Sequence, residues 1–172
     1  MKPAFASARR LLALAALVLA WPCVGHATGS TADAVLVAAK QAVLARFDLP
    51  GSRVEVKALP LDPRLRLAPC ALPPRAALSD AVRPAPNLSV TVRCLQADGW
   101  TVRVQVQMRL YRPVLVTNRP LMRGDGLRQA DVHVEQRDVT RLGYGYLDDL
   151  GQVTGRTLAR TLPSGSVVTP SA

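Results

Sequence analysis

The chain has 172 residues, with 22 Lys and Arg against 12 Asp and Glu, a formal net charge of +10, and 49% hydrophobic but only 4% aromatic residues. That length holds one domain or two small ones. A basic protein so poor in aromatics lacks the stacking residues that a nucleic-acid reader interleaves with its cations, so nucleic acid is excluded as the expected partner.

Residues 1–27 read as a secretory signal. Lys2, Arg9 and Arg10 make a basic start, an apolar run follows from Leu11 to Val24, and small residues Gly25 and Ala27 flank His26 at the expected cleavage site. The run is interrupted by Pro22 and is too short to span a bilayer, so no stable membrane anchor is expected after cleavage. Three basic residues and no acid fall in this segment, which leaves the mature chain with 19 cations against 12 anions. It also leaves one histidine, His133, and two cysteines, Cys70 and Cys94.

The mature chain opens with a predicted helix over Thr31 to Phe47. Thr31 is the expected cap, Asp33 suits the positive end of the helix dipole, and Val35, Leu36, Ala39, Val43 and Phe47 recur at helical spacing. Leu49, Pro50 and Gly51 stop it. A half-buried strand follows at Arg53 to Leu59, where Val54 and Val56 alternate with Arg53, Glu55 and Lys57. Seven prolines between Pro60 and Pro86 then preclude helix and central strand alike, and Cys70 lies in that connection.

Alternation is clearest from Leu88 to Leu110. Leu88, Val90, Val92 and Cys94 share one face, and after the turn "QADG" Trp100, Val102, Val104, Val106, Met108 and Leu110 share another against Thr101, Arg103, Gln105, Gln107 and Arg109. This predicts a β-hairpin with one wet face and Cys94 on the dry one. Beyond residue 113 the chain reads as short strands and turns. "RPLMRGDGL" at Arg119 to Leu127 repeats as "RTLPSGSVV" at Arg160 to Val168, a period of 41 residues, which predicts two similar corners packed as a pseudo-symmetric β unit.

No enzymatic constellation emerges. A single mature histidine, on the alternating "VHVE", reads as a strand residue, and there is no phosphate-binding glycine loop or Gly-x-Ser-x-Gly elbow. The carboxylates Asp131, Glu135, Asp148 and Asp149 read as solvated turn residues, and no cofactor or metal is expected. For the two cysteines, a metal centre wants two further soft or imidazole ligands where only His133 remains, and a redox pair usually has two intervening residues where these stand 24 apart. A disulfide in an exported protein needs only proximity, and it would tie the proline-rich connection to the hairpin.

The runs "RVEVKALPLDPRLRLAPC", "VTVRC", "WTVRVQVQMRLYRPVLVTNRPLMRGDGLRQADV" and "GYLDDLGQVTGRTLARTLPSGSVVTP", in this order, resemble the flagellar basal-body P-ring formation protein family. Its members are periplasmic assembly chaperones for the ring around the flagellar rod. From Val114 onward the chain resembles the SAF domain, a small β-clip fold. Arg119, Pro120, Leu121, Gly124, Leu127 and Asp131 match its opening corner, and Gly155, Arg156, Leu162 and Gly165 its closing one. The expected fold is therefore α+β and mostly β: an N-terminal helix and antiparallel strands over 28–112, then a SAF-type β-clip over 113–172. The resemblance implies a periplasmic, non-enzymatic protein whose partner is the P-ring subunit; the positive charge of an exported chain separately suits an anionic cell-wall polymer, with peptidoglycan a second expected partner, or an acidic protein. Members continue into a further β-rich segment, whereas this chain stops at "VVTPSA". The stretch "LYRPVLVTNRPL" is the expected partner contact, with Tyr111, Arg112 and Arg119 supplemented by Arg103 and Arg109 on the wet strand face. The alternatives are a SAF-bearing pilus-assembly protein, which lacks such a cysteine-bridged first half, and a cell-wall glycan-binding protein.

Overall fold

The structure, a computed structural model, describes residues 30–172; the expected signal segment, with Cys23 and His26, lies outside the described residues. Helix α1 spans Thr31–Phe47. Its cap is Ser30 and not Thr31: the Ser30 hydroxyl accepts from the Asp33 backbone N–H at 3.2 Å, and the Asp33 carboxylate accepts from the Ser30 backbone N–H at 3.1 Å. Asp33 thereby does more than oppose the dipole, since the reciprocal pair satisfies two donors at the helix start. Val35, Ala39, Val43 and Phe47 form the buried stripe.

Five antiparallel strands make one sheet: β1 (Arg53–Ala58), β2 (Arg75–Ala77), β3 (Asn87–Arg93), β4 (Thr101–Thr117) and β5 (Val132–Asp138). Four of them lie in the order β1-β4-β3-β2, and β5 also pairs with β4. Three residues of the proline-rich connection thus do form a strand. It is an edge strand, where a proline nearby leaves no interior ladder bond unmade. Strand β4 is the spine. Its 17 residues pair with β1 through 106–111, with β3 through 101–107 and with β5 through 111–117. Leu88, Val90, Val92, Val104, Val106, Met108 and Leu110 turn toward α1 and are buried with its stripe. The opposite face of β1 to β4 carries no helix among the described residues, and apart from Ala77 and Tyr111 its strand residues are polar.

Past Tyr111, β4 is covered on both faces. Val114 and Val116 belong to the core under α1, whereas Leu115 belongs to a second core with Leu121, Leu127, Val132, Leu147, Val153, Leu158, Leu162 and Val168. One strand thus feeds two hydrophobic clusters through its two-residue period.

The second core is built by the 41-residue repeat. Leu121 and Leu162, equivalent positions of the two copies, exchange backbone hydrogen bonds of 2.9 Å in both directions. The Gly124 N–H donates to the Leu158 carbonyl and the Gly165 N–H to the Thr117 carbonyl. The Leu127 N–H donates to the Arg156 carbonyl, as the Val168 N–H does to Leu115. In each pair, adding the repeat period to one bond reproduces the other with the two strands exchanged, the signature of a pseudo-two-fold axis between Leu121 and Leu162. Gly124 and Gly165 turn the two corners with φ of 92° and 77°, in the left-handed region where a Cβ is penalised.

Candidate partner-binding face

The disulfide loop frames one end of the sheet. Cys70 and Cys94 are bonded with their Cα atoms 5.9 Å apart. Cys94 is buried on the dry side of the hairpin, immediately after β3. The bond is backed by contacts that the two-residue period does not announce. The Gln96 side-chain amide accepts from the Ala71 N–H at 3.0 Å and donates to the Pro69 carbonyl at 3.4 Å, and the Trp100 indole N–H donates to the Ala68 carbonyl at 2.9 Å. Gln96 lies within the hairpin turn and Trp100 directly after it, so the turn grips the loop on both sides of Cys70. In sequence the only trace of this clamp is an amide and an indole at a turn, residue types that also serve as ordinary turn polarity.

Of the five candidate partner residues, the structure brings three together. Arg103, Arg109 and Tyr111 project from alternate positions of β4 onto the uncovered sheet face, opposite Thr91, Glu55 and Arg53 respectively. The Arg53 guanidinium stacks 3.9 Å from the Tyr111 ring centroid, a cation–π contact, and also pairs with Glu55 at 2.6 Å. Arg112, one residue on, points to the other face, where it is half-buried and its guanidinium lies 3.4 Å from the Tyr146 hydroxyl. Period-two parity alone would have separated Arg112 from Tyr111.

Arg119 stands apart on the clip. It contacts the buried Asp131 through Nη2 at 2.8 Å and Nε at 2.9 Å. Burial of Asp131 opposes its ionisation, but the Arg119 guanidinium and the Arg128 backbone N–H outweigh it and hold the carboxyl below the usual carboxylate range. Asp131 is therefore not a solvated turn residue: it fastens the opening corner, and Arg119 is its counter-ion. Glu135, by contrast, is part-exposed on β5 beside Arg137 and His133, while Asp148 and Asp149 bond within their own turn.

The remaining clip residues are structural. Leu121, Leu127 and Leu162 lie in the second core, and Gly155, like Gly124 and Gly165, has positive φ. The Arg156 guanidinium donates to the Gln152 carbonyl at 2.7 Å and the Pro170 carbonyl at 3.3 Å, tying the closing corner to the last turn. The stretch from Val114 to Thr117, in the middle of the expected contact "LYRPVLVTNRPL", is buried. It offers no open surface, because β5 and the clip close over it.

The uncovered face has a break in its middle. β3 leaves β4 after Gln107 and β5 joins it at Tyr111, so the gap is crossed by the Met108 N–H to Pro86 carbonyl and Val139 N–H to Leu110 carbonyl bonds and by the Leu110 N–H to the Asp138 carboxylate. An open notch of about 580 Å³ forms there, lined among others by Glu55, Lys57, Arg109, Tyr111, Asp138 and Arg141. Burial again opposes ionisation of Asp138, and its bonds from Thr140 and the Leu110 N–H, with the charge of Arg109, lower its carboxyl below the usual range. Among the described residues no group of three or more His, Cys, Asp or Glu is placed to hold a metal ion, and no helix is long and apolar enough to cross a membrane.

Residues 35–110 match the FlgA N-terminal domain family, and residues 112–172 match the SAF domain family. Two crystal structures of Salmonella FlgA resemble the chain in fold. The closed form is 21% identical with a TM-score of 0.57, over 81% of this chain and 66% of that one. The open form is 20% identical with a TM-score of 0.57, over 79% and 62%. The chain thus spans slightly under two thirds of the length of these structures. No curated protein sequence matches. A helix on an antiparallel sheet over the first matched stretch, and a pseudo-two-fold clip over the second, are the architecture on which these matches fall, and the chain joins a member of the FlgA N-terminal domain family to a member of the SAF domain family.

Proposed function

We propose that the protein is a periplasmic chaperone that binds P-ring subunits and assists their assembly around the flagellar rod. The observation that carries this reading is the succession, along one unbroken strand, of a FlgA N-terminal domain and a SAF domain. The Cys70–Cys94 bond supports an oxidising compartment such as the periplasm. The reading is non-enzymatic. A chaperone without a nucleotide site works by covering a surface or strand edge of an unassembled subunit, and polymerisation then displaces it.

The test is genetic and biochemical. In the bacterium from which the chain comes, deletion of its gene should abolish P rings in isolated basal bodies and stop swimming, and the full gene on a plasmid should restore both. Purified mature chain should bind the purified P-ring subunit. Intact P rings in the deletion strain, together with no binding, would refute the reading; retention on peptidoglycan or pilin instead would favour the glycan or pilus alternative.

A further inference from the structure

The uncovered face of the sheet is strongly one-signed. Arg53, Lys57, Arg75, Arg93, Arg103 and Arg109 project from β1 to β4 on that side, against Glu55 and, at the β5 end, Asp138. Both acids lie away from the hairpin end. Glu55 pairs with Arg53, and the Asp138 carboxylate, which accepts from Thr140 and the Leu110 N–H, interacts with the charge of Arg109. Toward the hairpin end none of the described strand residues on the face is acidic, and the nearest acid is Asp98 in the turn. Arg75 sits directly opposite Arg93, and Arg103 lies one diagonal step further across. Among the described residues, none of these three arginines makes an ion pair.

Like charges placed directly opposite across a strand pair destabilise a sheet. The arrangement therefore costs the isolated fold something, and an anionic surface laid over the face would relieve it. All three guanidinium groups stand in water on an exposed face, so they raise local positive potential without losing hydration until a partner arrives. The amides and hydroxyls between them, Asn87, Ser89, Gln105 and Gln107, add hydrogen-bonding capacity without charge of the wrong sign.

We propose that this face, centred on Arg75, Arg93 and Arg103, is the docking surface for a protein client, and that the client meets it with an acidic patch. The proposal rests on the chaperone reading above and names the surface that reading lacks. A protein is favoured over a glycan or nucleic acid because the face has one aromatic ring, Tyr111, and Arg53 already covers it, so sugars and bases find no stacking platform. β1 with six residues and β3 with seven flank the paired part of β4, and the three-residue β2 lies at the edge; together they give a flat area of about 20 by 20 Å, small by the standard of stable complexes and suited to a client that is later released. Electrostatic attraction of this kind acts mainly on the encounter rate and is weakened by salt.

The experiment uses the purified mature chain and the P-ring subunit of the same bacterium, with binding measured by titration at low and high salt. The expected result is an affinity that falls about tenfold between about 0.05 and 0.5 M NaCl. Arg93→Glu should bind at least tenfold more weakly and show a flatter salt dependence, as should Arg103→Gln to a smaller degree. Lys40→Glu, an equal charge change on the exposed side of α1, should bind as the parent does. Arg93→Glu places an opposite charge across from Arg75, so its thermal midpoint should not fall, which guards against a folding artefact. If Arg93→Glu and Arg103→Gln bind like the parent, the face is wrong while the chaperone reading stands. If the parent itself does not bind the subunit, that reading fails and the docking proposal falls with it. Binding to purified peptidoglycan that only Arg93→Glu and Arg103→Gln lose would give the face a glycan occupant and overturn the protein one.

Discussion

Breaking the Cys70–Cys94 bond should lower stability by an amount that the chain length between the cysteines sets. The two stand 24 residues apart. A ring of about 25 residues restricts the unfolded chain by about 3.5 kcal/mol in the loop-closure account. For a folded chain of this size about 3 °C of melting temperature accompanies each kcal/mol, so reduction should lower the midpoint by about 10 °C. Reduction is a cleaner perturbation than substitution, since Cys94 is buried and a polar replacement would add its own cost. The assay is thermal unfolding by circular dichroism with and without a phosphine reductant, repeated on Gln96→Ala. With the bond intact, losing the Gln96 contacts to Ala71 and Pro69 should cost about 1 kcal/mol at most, because both are exposed neutral hydrogen bonds. In the reduced protein the same substitution should cost more, since Gln96 and Trp100 are then what hold the loop to the hairpin. A reduced protein that melts within about 2 °C of the oxidised one would refute the loop-closure reasoning and leave the Gln96–Trp100 clamp as the sufficient fastening.

Other expectations concern the clip and the hairpin. Arg119→Ala strips the buried Asp131 carboxylate of its counter-ion. In the parent that carboxyl is held below its ordinary value of 3.8, so its stabilisation is complete above that pH and disappears as pH falls through the lower folded value. Acid titration followed by far-ultraviolet circular dichroism should place unfolding of Arg119→Ala at higher pH than the parent; coincident curves would contradict the assignment. Gly99→Ala would drive a methyl group against the backbone carbonyl of Cys94 and within 2.8 Å of the Gln96 carbonyl, and should cost about 2 kcal/mol in urea unfolding. Gly124→Ala and Gly165→Ala enter open space at matching corners, so each should cost about 1–2 kcal/mol through its positive φ, and by similar amounts. A large difference between those two would argue that the corners are not equivalent.

Much of the local structure was legible from the sequence alone. The helical spacing of Val35, Leu36, Ala39, Val43 and Phe47 specified a helix with an apolar side, of which all but the half-buried Leu36 form its buried stripe, and the alternation through Leu88 to Leu110 specified a hairpin with one wet face. The period of 41 residues announced the clip's two corners, because equivalent turns need equivalent glycines and apolar flanks. Such patterns report which way a side chain points. They do not report what lies over it. Only the tertiary structure decided that Leu115 and its neighbours Val114 and Val116 enter different cores, that Arg119 is spent on Asp131, and that Gln96 and Trp100 grip the loop at Cys70. The same holds for the face carrying Arg75, Arg93 and Arg103. Their separation in the chain hides the cluster, since Arg75 comes from an edge strand inside the proline-rich connection that no periodicity marks. Periodicity is set by backbone geometry within one strand or helix, whereas coverage and charge clustering depend on which strands the sheet makes neighbours.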